Sequence, residues 1–248
     1  VTPENLETLD RLKSAYPGCV GVQTECGLIV VRRPTADEVI AVEDAIGTLT
    51  DIGGKLNPYA GLDILLSLIV HPAAAQAEEL LQSYPDFFTQ AAAMARNAAT
   101  EGTMPRLEVV DLKNSELYQR ELPPGENGQH PKRLGGRIFA VEHSYLEPDP
   151  DNAAKQRKII VGRYLLRRFG LIEHREYVKE VAASGFLNAE GGRIPRAATL
   201  AKVARAHVVT APGCDLPNWE KYPYLLIHLG IFVKEESRVK LDNSTGKR

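Results

Sequence analysis

Residues 19–38 read CVGVQTECGLIVVRRPTADE. Val20–Thr24 and Leu28–Arg32 are two runs rich in β-branched residues, and the turn near Glu25–Gly27 between them predicts an antiparallel hairpin. Pro34 and Thr35 end the second strand. Thr35 is placed to cap a helix through about Ile46, with Asp37 and Glu38 in its first turn, where carboxylates meet the positive end of the helix dipole.

Working outward, Leu6, Leu9 and Leu12 fall at helical spacing within Pro3–Tyr16, with Thr2 as N-cap and Pro17-Gly18 as the stop. Downstream, a loop rich in Gly, Asn and Pro (Asp51–Tyr59) leads to an apolar helix over Ala60–Val70. His71-Pro72 closes it, placing His71 at the helix C-terminus, where its charge suits the dipole. Helices over Ala73–Ser83 and from Asp86 to about Thr100 follow. Such an order within the first hundred or so residues predicts a self-contained α+β domain.

Glu101–Pro105 is a break of small residues and predicts a boundary between domains at 1–103 and 104–248. Beyond it, Leu107–Leu112 and Arg137–Tyr145 predict strands, separated by a polar loop around Pro123–Lys132. EPDPDN, Glu147–Asn152, reads as an acidic extended linker, because a residue before proline avoids the helical region. A basic helix is expected over 153–169, then helices from about Glu173 to Ser184 and over Ala197–His207. An apolar strand over Tyr224–Val233 and a polar tail, Asn243–Arg248, complete the chain. The expected class is α+β: a small helix–hairpin–helices domain followed by a second α+β domain.

Charge divides at the same boundary. Of 30 basic and 32 acidic side chains, residues 1–103 hold 6 and 14, which leaves 24 and 18 for the rest, or about −8 and +6. Opposite fields on two parts of one chain favour head-to-tail contacts, within it or between copies. Two domains of different composition with no electrostatic purpose would give the same split. The 44% hydrophobic and 25% charged content is that of a globular protein, which excludes wholesale disorder. The longest apolar runs, Ile64–Val70 and Leu225–Val233, are too short to span a bilayer, and no secretory signal is expected. Cys19, Cys26 and Cys214 lack metal-ligand spacing, and so sparse a set favours the cytoplasm. Cys19 and Cys26 either face each other across the hairpin as a disulfide or pack as small apolar groups.

No catalytic residue, cofactor or metal is expected. His71, His130, His143, His174, His207 and His228 are dispersed, without the i,i+4 spacing of a helical zinc site, and no nucleophile motif occurs. Glu147, Asp149 and Asp151 alternate as cation ligands can, yet Pro148 and Pro150 hold the chain extended and the glycine of a calcium loop is missing. RLGGR (Arg133–Arg137) and EGGRIP (Glu190–Pro195) read as turns. Lys155, Arg157, Lys158, Arg163, Arg167 and Arg168, with Tyr164 and Phe169 among them, supply the charge density that phosphate contacts need. Ile159, Ile160, Leu165 and Leu166 would be the apolar stripe of an ordinary surface helix. That helix suits either nucleic acid or an acidic protein surface. Trp219, Tyr222 and Tyr224, near Pro217 and Pro223, either anchor a partner or close the domain's own core.

Residues 1–100 resemble the tail assembly chaperone proteins of tailed bacteriophages. The likeness rests on an N-terminal helix closed by YPG (Tyr16–Gly18), a hairpin ending in VVRRPTADE (Val30–Glu38), a helical segment reaching LIVHP (Leu68–Pro72), and EELLQSYPDFFTQAAAMA (Glu78–Ala95). It implies a small α+β domain that handles assembly intermediates without chemistry. The partners it implies are phage tail or baseplate proteins, notably the tape-measure protein, in an oligomeric assembly in the host cytoplasm. The long extension beyond residue 104, which carries no such likeness, suggests a part kept in the virion tail. The alternative is a nucleic-acid-binding protein using helix 153–169.

Overall fold

The computed structural model describes residues 2–25, 27–50, 61–84, 86–100, 106–110, 138–150, 152–210 and 215–237. Helices and small antiparallel sheets alternate along them, so the fold class is α+β. Two compact units emerge. The first comprises Val1–Pro105, Val181–Ala198 and Pro217–Leu226; the second comprises Arg106–Glu180, Thr199–Leu216 and Ile227–Arg248. The chain passes from the first unit to the second at Pro105–Arg106 and returns to the first twice, through Val181–Ala198 and Pro217–Leu226.

In the first unit, β1 (Val20–Thr24), β2 (Gly27–Val31) and β3 (Ile69–His71) form an antiparallel sheet in that order. Successive strand residues point to opposite faces, and β2 is apolar on both because both are covered. Leu28 and Val30 turn toward Leu9 and Leu12 of α1 (Pro3–Ala15), together with Cys19. Ile29 and Val31 turn the other way, into the main core. That core gathers Val42 of α2 (Ala36–Thr50), Leu65 and Leu68 of α3 (Leu62–Leu68), Ala77 of α4 (Ala74–Ser83), and Phe87, Ala91 and Met94 of α5 (Asp86–Thr100). Each fully buried Val or Ile side chain contributes about 1.5–3 kcal/mol. Gly21, opposite Val30, lies on the α1 side, where a Cβ would come within 2.6 Å of Leu9, so the helix can approach this closely only over a glycine.

The helix starts follow the local sequence. Thr2 Oγ1 accepts the Asn5 N–H at 3.3 Å, capping α1. At α2, Thr35 Oγ1 accepts the Glu38 N–H at 3.3 Å while the Glu38 carboxylate accepts the Thr35 N–H at 2.8 Å, a reciprocal capping box. The apolar run 60–70, expected as one helix, instead divides into α3 and β3. His71 therefore ends a strand, not a helix, because Val30 and Val31 offer β3 a pairing edge.

In the second unit, β4 (Arg106–Val110), β5 (Ile138–Asp149) and β6 (Asn152–Arg167) form an antiparallel sheet with β5 central. Here two expectations fail. The basic stretch is not a helix but the 16-residue strand β6, and EPDPDN is not a linker but the end of the β5–β6 ribbon, with Asp149 opposite Asn152. The cause is pairing: Val141 faces Tyr164 and Phe139 faces Leu166 in one buried layer, a long-range gain that overrides a helix-compatible pattern. His143 pairs with Gly162 and Ser144 with Ile160, leaving Val161 as the extra residue of a bulge.

The remaining elements are α6 (Leu171–Ser184), the short hairpin β7 (Phe186–Leu187) and β8 (Arg193–Ile194), α7 (Ala197–His207) and α8 (Leu225–Glu236). The expected strand over Tyr224–Val233 is thus the helix α8. Leu225, Leu229 and Val233 are buried at helical spacing, while apolar neighbours on the other sides disguise the period. Gly230 of α8 meets the backbone of Leu200 in α7. Val209 N–H donates to Leu165 O at 2.9 Å, and His207 Nδ1 to Arg167 O at 2.7 Å, which fixes the proton on Nδ1. The loop Pro123–Lys132, His130, the break Glu101–Pro105 and the tail Asn243–Arg248 lie outside the described residues.

Candidate protein-docking site

The sheet order leaves β1 at an edge, and beside it α5 stands away far enough to open a groove of about 1070 Å³. One wall is Val22, Gln23, Thr24 and Glu25. The other is formed by Tyr84 before α5 and by Phe87, Gln90, Ala93, Met94 and Asn97 along it. These helical positions recur every three or four residues, as one face of an α-helix requires. Phe87 and Met94 are buried at its floor, whereas Val22 is 41% and Tyr84 52% exposed. Among the described lining residues, Glu25 alone is charged. The described lining thus offers apolar side chains, three amides and one carboxylate to a partner.

Of the residues singled out in the sequence, the basic set forms no single cluster, although Lys158 and Arg163 meet at Glu142. Strand alternation sends its members to both faces of β6, and carboxylates from within the second unit engage most of them. Lys158 Nζ lies 2.6 Å from Glu108 and 2.9 Å from Glu142, and Arg163 Nε 2.8 Å from Glu142. Arg157 pairs with Glu147, Arg167 with Glu173 at 2.7 Å and Arg168 with Glu236 at 3.3 Å. Lys155 is exposed. The Lys158 ammonium, bonded to Glu142, holds that carboxyl below its usual range despite burial. Glu108 and Glu142 are cross-strand partners whose repulsion Lys158 relieves. The nucleic-acid reading thereby loses the helical face on which it was built.

Trp219 and Tyr222 are half-buried, with the Lys221 ammonium 5.3 Å from the Tyr222 ring centre. Tyr224 is in the core, where its hydroxyl reaches Glu43. Burial, reinforced by the Glu43 carboxylate, raises the Tyr224 pKa well above the ordinary phenol value. Glu43 also accepts from Arg96, at 3.0 and 3.2 Å. Nearby, Asp44 accepts the N–H groups of Ala197 at 2.5 Å and Ala198 at 3.3 Å, capping α7, and burial raises its pKa in spite of those bonds. Neither arrangement had a local signal, since the partners lie far apart in the chain.

In the second unit, His143 Nδ1 is 3.2 Å from the Tyr164 hydroxyl, and burial lowers the histidine pKa to about 4. Phe169 packs at 5.9 Å from His174, 5.2 Å from Tyr177 and 4.9 Å from His207, ring centre to ring centre. Among the described residues, no three His, Cys, Asp or Glu side chains gather as metal ligands. Cys19 is a free thiol, buried, and burial pushes its pKa up; Cys26 and Cys214 lie outside the described residues. No described helix is long and apolar enough to cross a membrane. Comparison with protein-family models, curated proteins and solved structures gives no match.

Proposed function

We propose that this is a non-catalytic binding protein of bacteriophage tail or baseplate assembly, acting through the groove between β1 and α5. The observation that carries the binding role is the groove itself, in which β1, an edge strand among the described residues, faces an apolar helical wall and Tyr84 is exposed. Exposed aromatic and apolar groups collected in one concavity mark a site of association. The likeness of residues 1–100 to tail assembly chaperones directs the proposal to tail proteins, with the tape-measure protein as the first partner to test. The setting is the host cytoplasm during assembly, with retention in the virion tail as part of an oligomer. No cofactor is invoked.

The test is co-expression of the full chain with bacteriophage tail and baseplate proteins, the tape-measure protein first, followed by affinity purification. Co-purification that Ala93→Trp abolishes supports the proposal; retention of every partner by that variant refutes it. Mass spectrometry of purified particles decides whether the protein stays in the tail.

A further inference from the structure

We infer that the groove receives an extended, apolar segment of a partner protein bearing a basic residue, bound as a further strand along the edge of β1 that faces away from β2. This rests on the groove being the docking site proposed above. Four consecutive residues, Val22 to Glu25, line it. A groove lying over one face of a strand would meet only alternate residues, so this one runs along the strand's edge. There, every second residue of β1 directs its N–H and C=O away from β2, and an added strand satisfies them.

The opposite wall matches such an occupant in length and chemistry. From Phe87 to Asn97 the helix rises about 15 Å at 1.5 Å per residue, the span of about five strand residues at 3.3 Å. Phe87, Ala93 and Met94 offer apolar contact to alternate side chains, and Gln90 and Asn97 offer hydrogen bonds. A helical occupant would leave the β1 edge unpaired. Charge selects the sign of the partner: Glu25 is the one charged residue among the described lining, and residues 1–103 hold 14 acidic against 6 basic side chains. A basic segment is attracted and an acidic one repelled. The β1 strand of a second copy would bring its own Glu25 and is disfavoured on that ground.

The probe is a fluorescent decapeptide of alternating valine and threonine with a lysine at each end, titrated into the full chain. Binding is expected with a Kd of roughly 1 mM or tighter, weakened about tenfold when glutamates replace the lysines. Ala93→Trp, at an exposed groove position, abolishes binding, and Glu25→Lys inverts the charge preference. N-methylation of alternate peptide amides abolishes binding in one of its two phases, and exchange of the β1 amides slows on binding.

Equal affinity for both N-methylated peptides, or no binding at about 1 mM, overturns strand addition. So does self-association of the chain that Ala93→Trp removes, which would make the occupant a second copy. If Ala93→Trp still captures tail proteins at the wild-type level, the docking proposal itself fails. If it loses them while the peptide does not bind, docking stands and strand addition falls.

Discussion

The hydroxyl of Tyr224 donates to the Glu43 carboxylate across 2.8 Å, joining residues 181 positions apart in the sequence. Arg96 grips the same carboxylate, so α2, α5 and the segment before α8 share one partly buried polar joint within the first unit. A hydrogen bond to a charged group contributes about 1.5–3 kcal/mol, and Arg96 keeps Glu43 partnered when the hydroxyl is removed.

Tyr224→Phe is therefore expected to lower the unfolding free energy by roughly 1–2 kcal/mol, read from urea melts. Because folding raises the Tyr224 pKa, its contribution is complete below the ordinary value of 10.0 and is lost as pH rises beyond it. The wild type should weaken above that pH more steeply than the variant. Parallel profiles would show that the hydroxyl carries no such linkage.

The capping box makes a second prediction. Thr35→Ala removes the acceptor for the Glu38 N–H and should cost about 0.5–2 kcal/mol. Arg32, bonded to Glu38 at 2.6 and 3.0 Å, holds that carboxyl below its ordinary 4.5. Its stabilisation is present above that pH and disappears as pH falls through the lowered value. Glu38→Gln should flatten this acid limb in pH-dependent melts, and an unchanged limb would assign it elsewhere.

His143 predicts an acid transition of its own. It is 2% exposed and folding depresses its pKa from 6.5 to about 4, so the unfolded chain takes up a proton that the folded one refuses. Its stabilisation is present above 6.5 and is lost on descent toward 4, by up to roughly 3 kcal/mol. His143→Gln should reduce the slope between those limits in urea midpoints, and the slope that remains includes His207, whose pKa burial also lowers. The absolute stability of the variant does not enter the comparison.

Gly230 poses a question of sign. Replacing a helical glycine with alanine gains up to about 1 kcal/mol where space is open. At this position a Cβ would collide with the carbonyl of Leu200, backbone that cannot rotate aside. Overpacking of this kind costs about 1–3 kcal/mol, so Gly230→Ala should be destabilising overall. A higher melting temperature would show that α7 and α8 can separate freely.

Much of the first hundred residues could be read from their order because their signals are local. The hairpin strands, the caps at Thr2 and Thr35 and the helices over 74–83 and 86–100 depend on neighbours within a turn or a strand. The groove was less legible. Tyr84, Phe87 and Met94 occupy helical spacing, but nothing in that spacing tells which of them folds into the core and which borders an opening. For the basic stretch, Ile159, Ile160, Leu165 and Leu166 fit a helical stripe as well as they fit a strand, and its partner β5 supplied the deciding contacts.

Local order along the chain thus settled the β1–β2 hairpin, the caps of α1 and α2 and that the class is α+β, since each follows from bonds between residues a few positions apart. Distant contacts settled the rest: that 152–167 is a strand, that 225–236 is a helix, that Tyr224 meets Glu43 and that β1 borders a groove with α5. Those outcomes turn on which surfaces compete to exclude water or to complete a hydrogen-bond ladder, a comparison made only after the chain has come together.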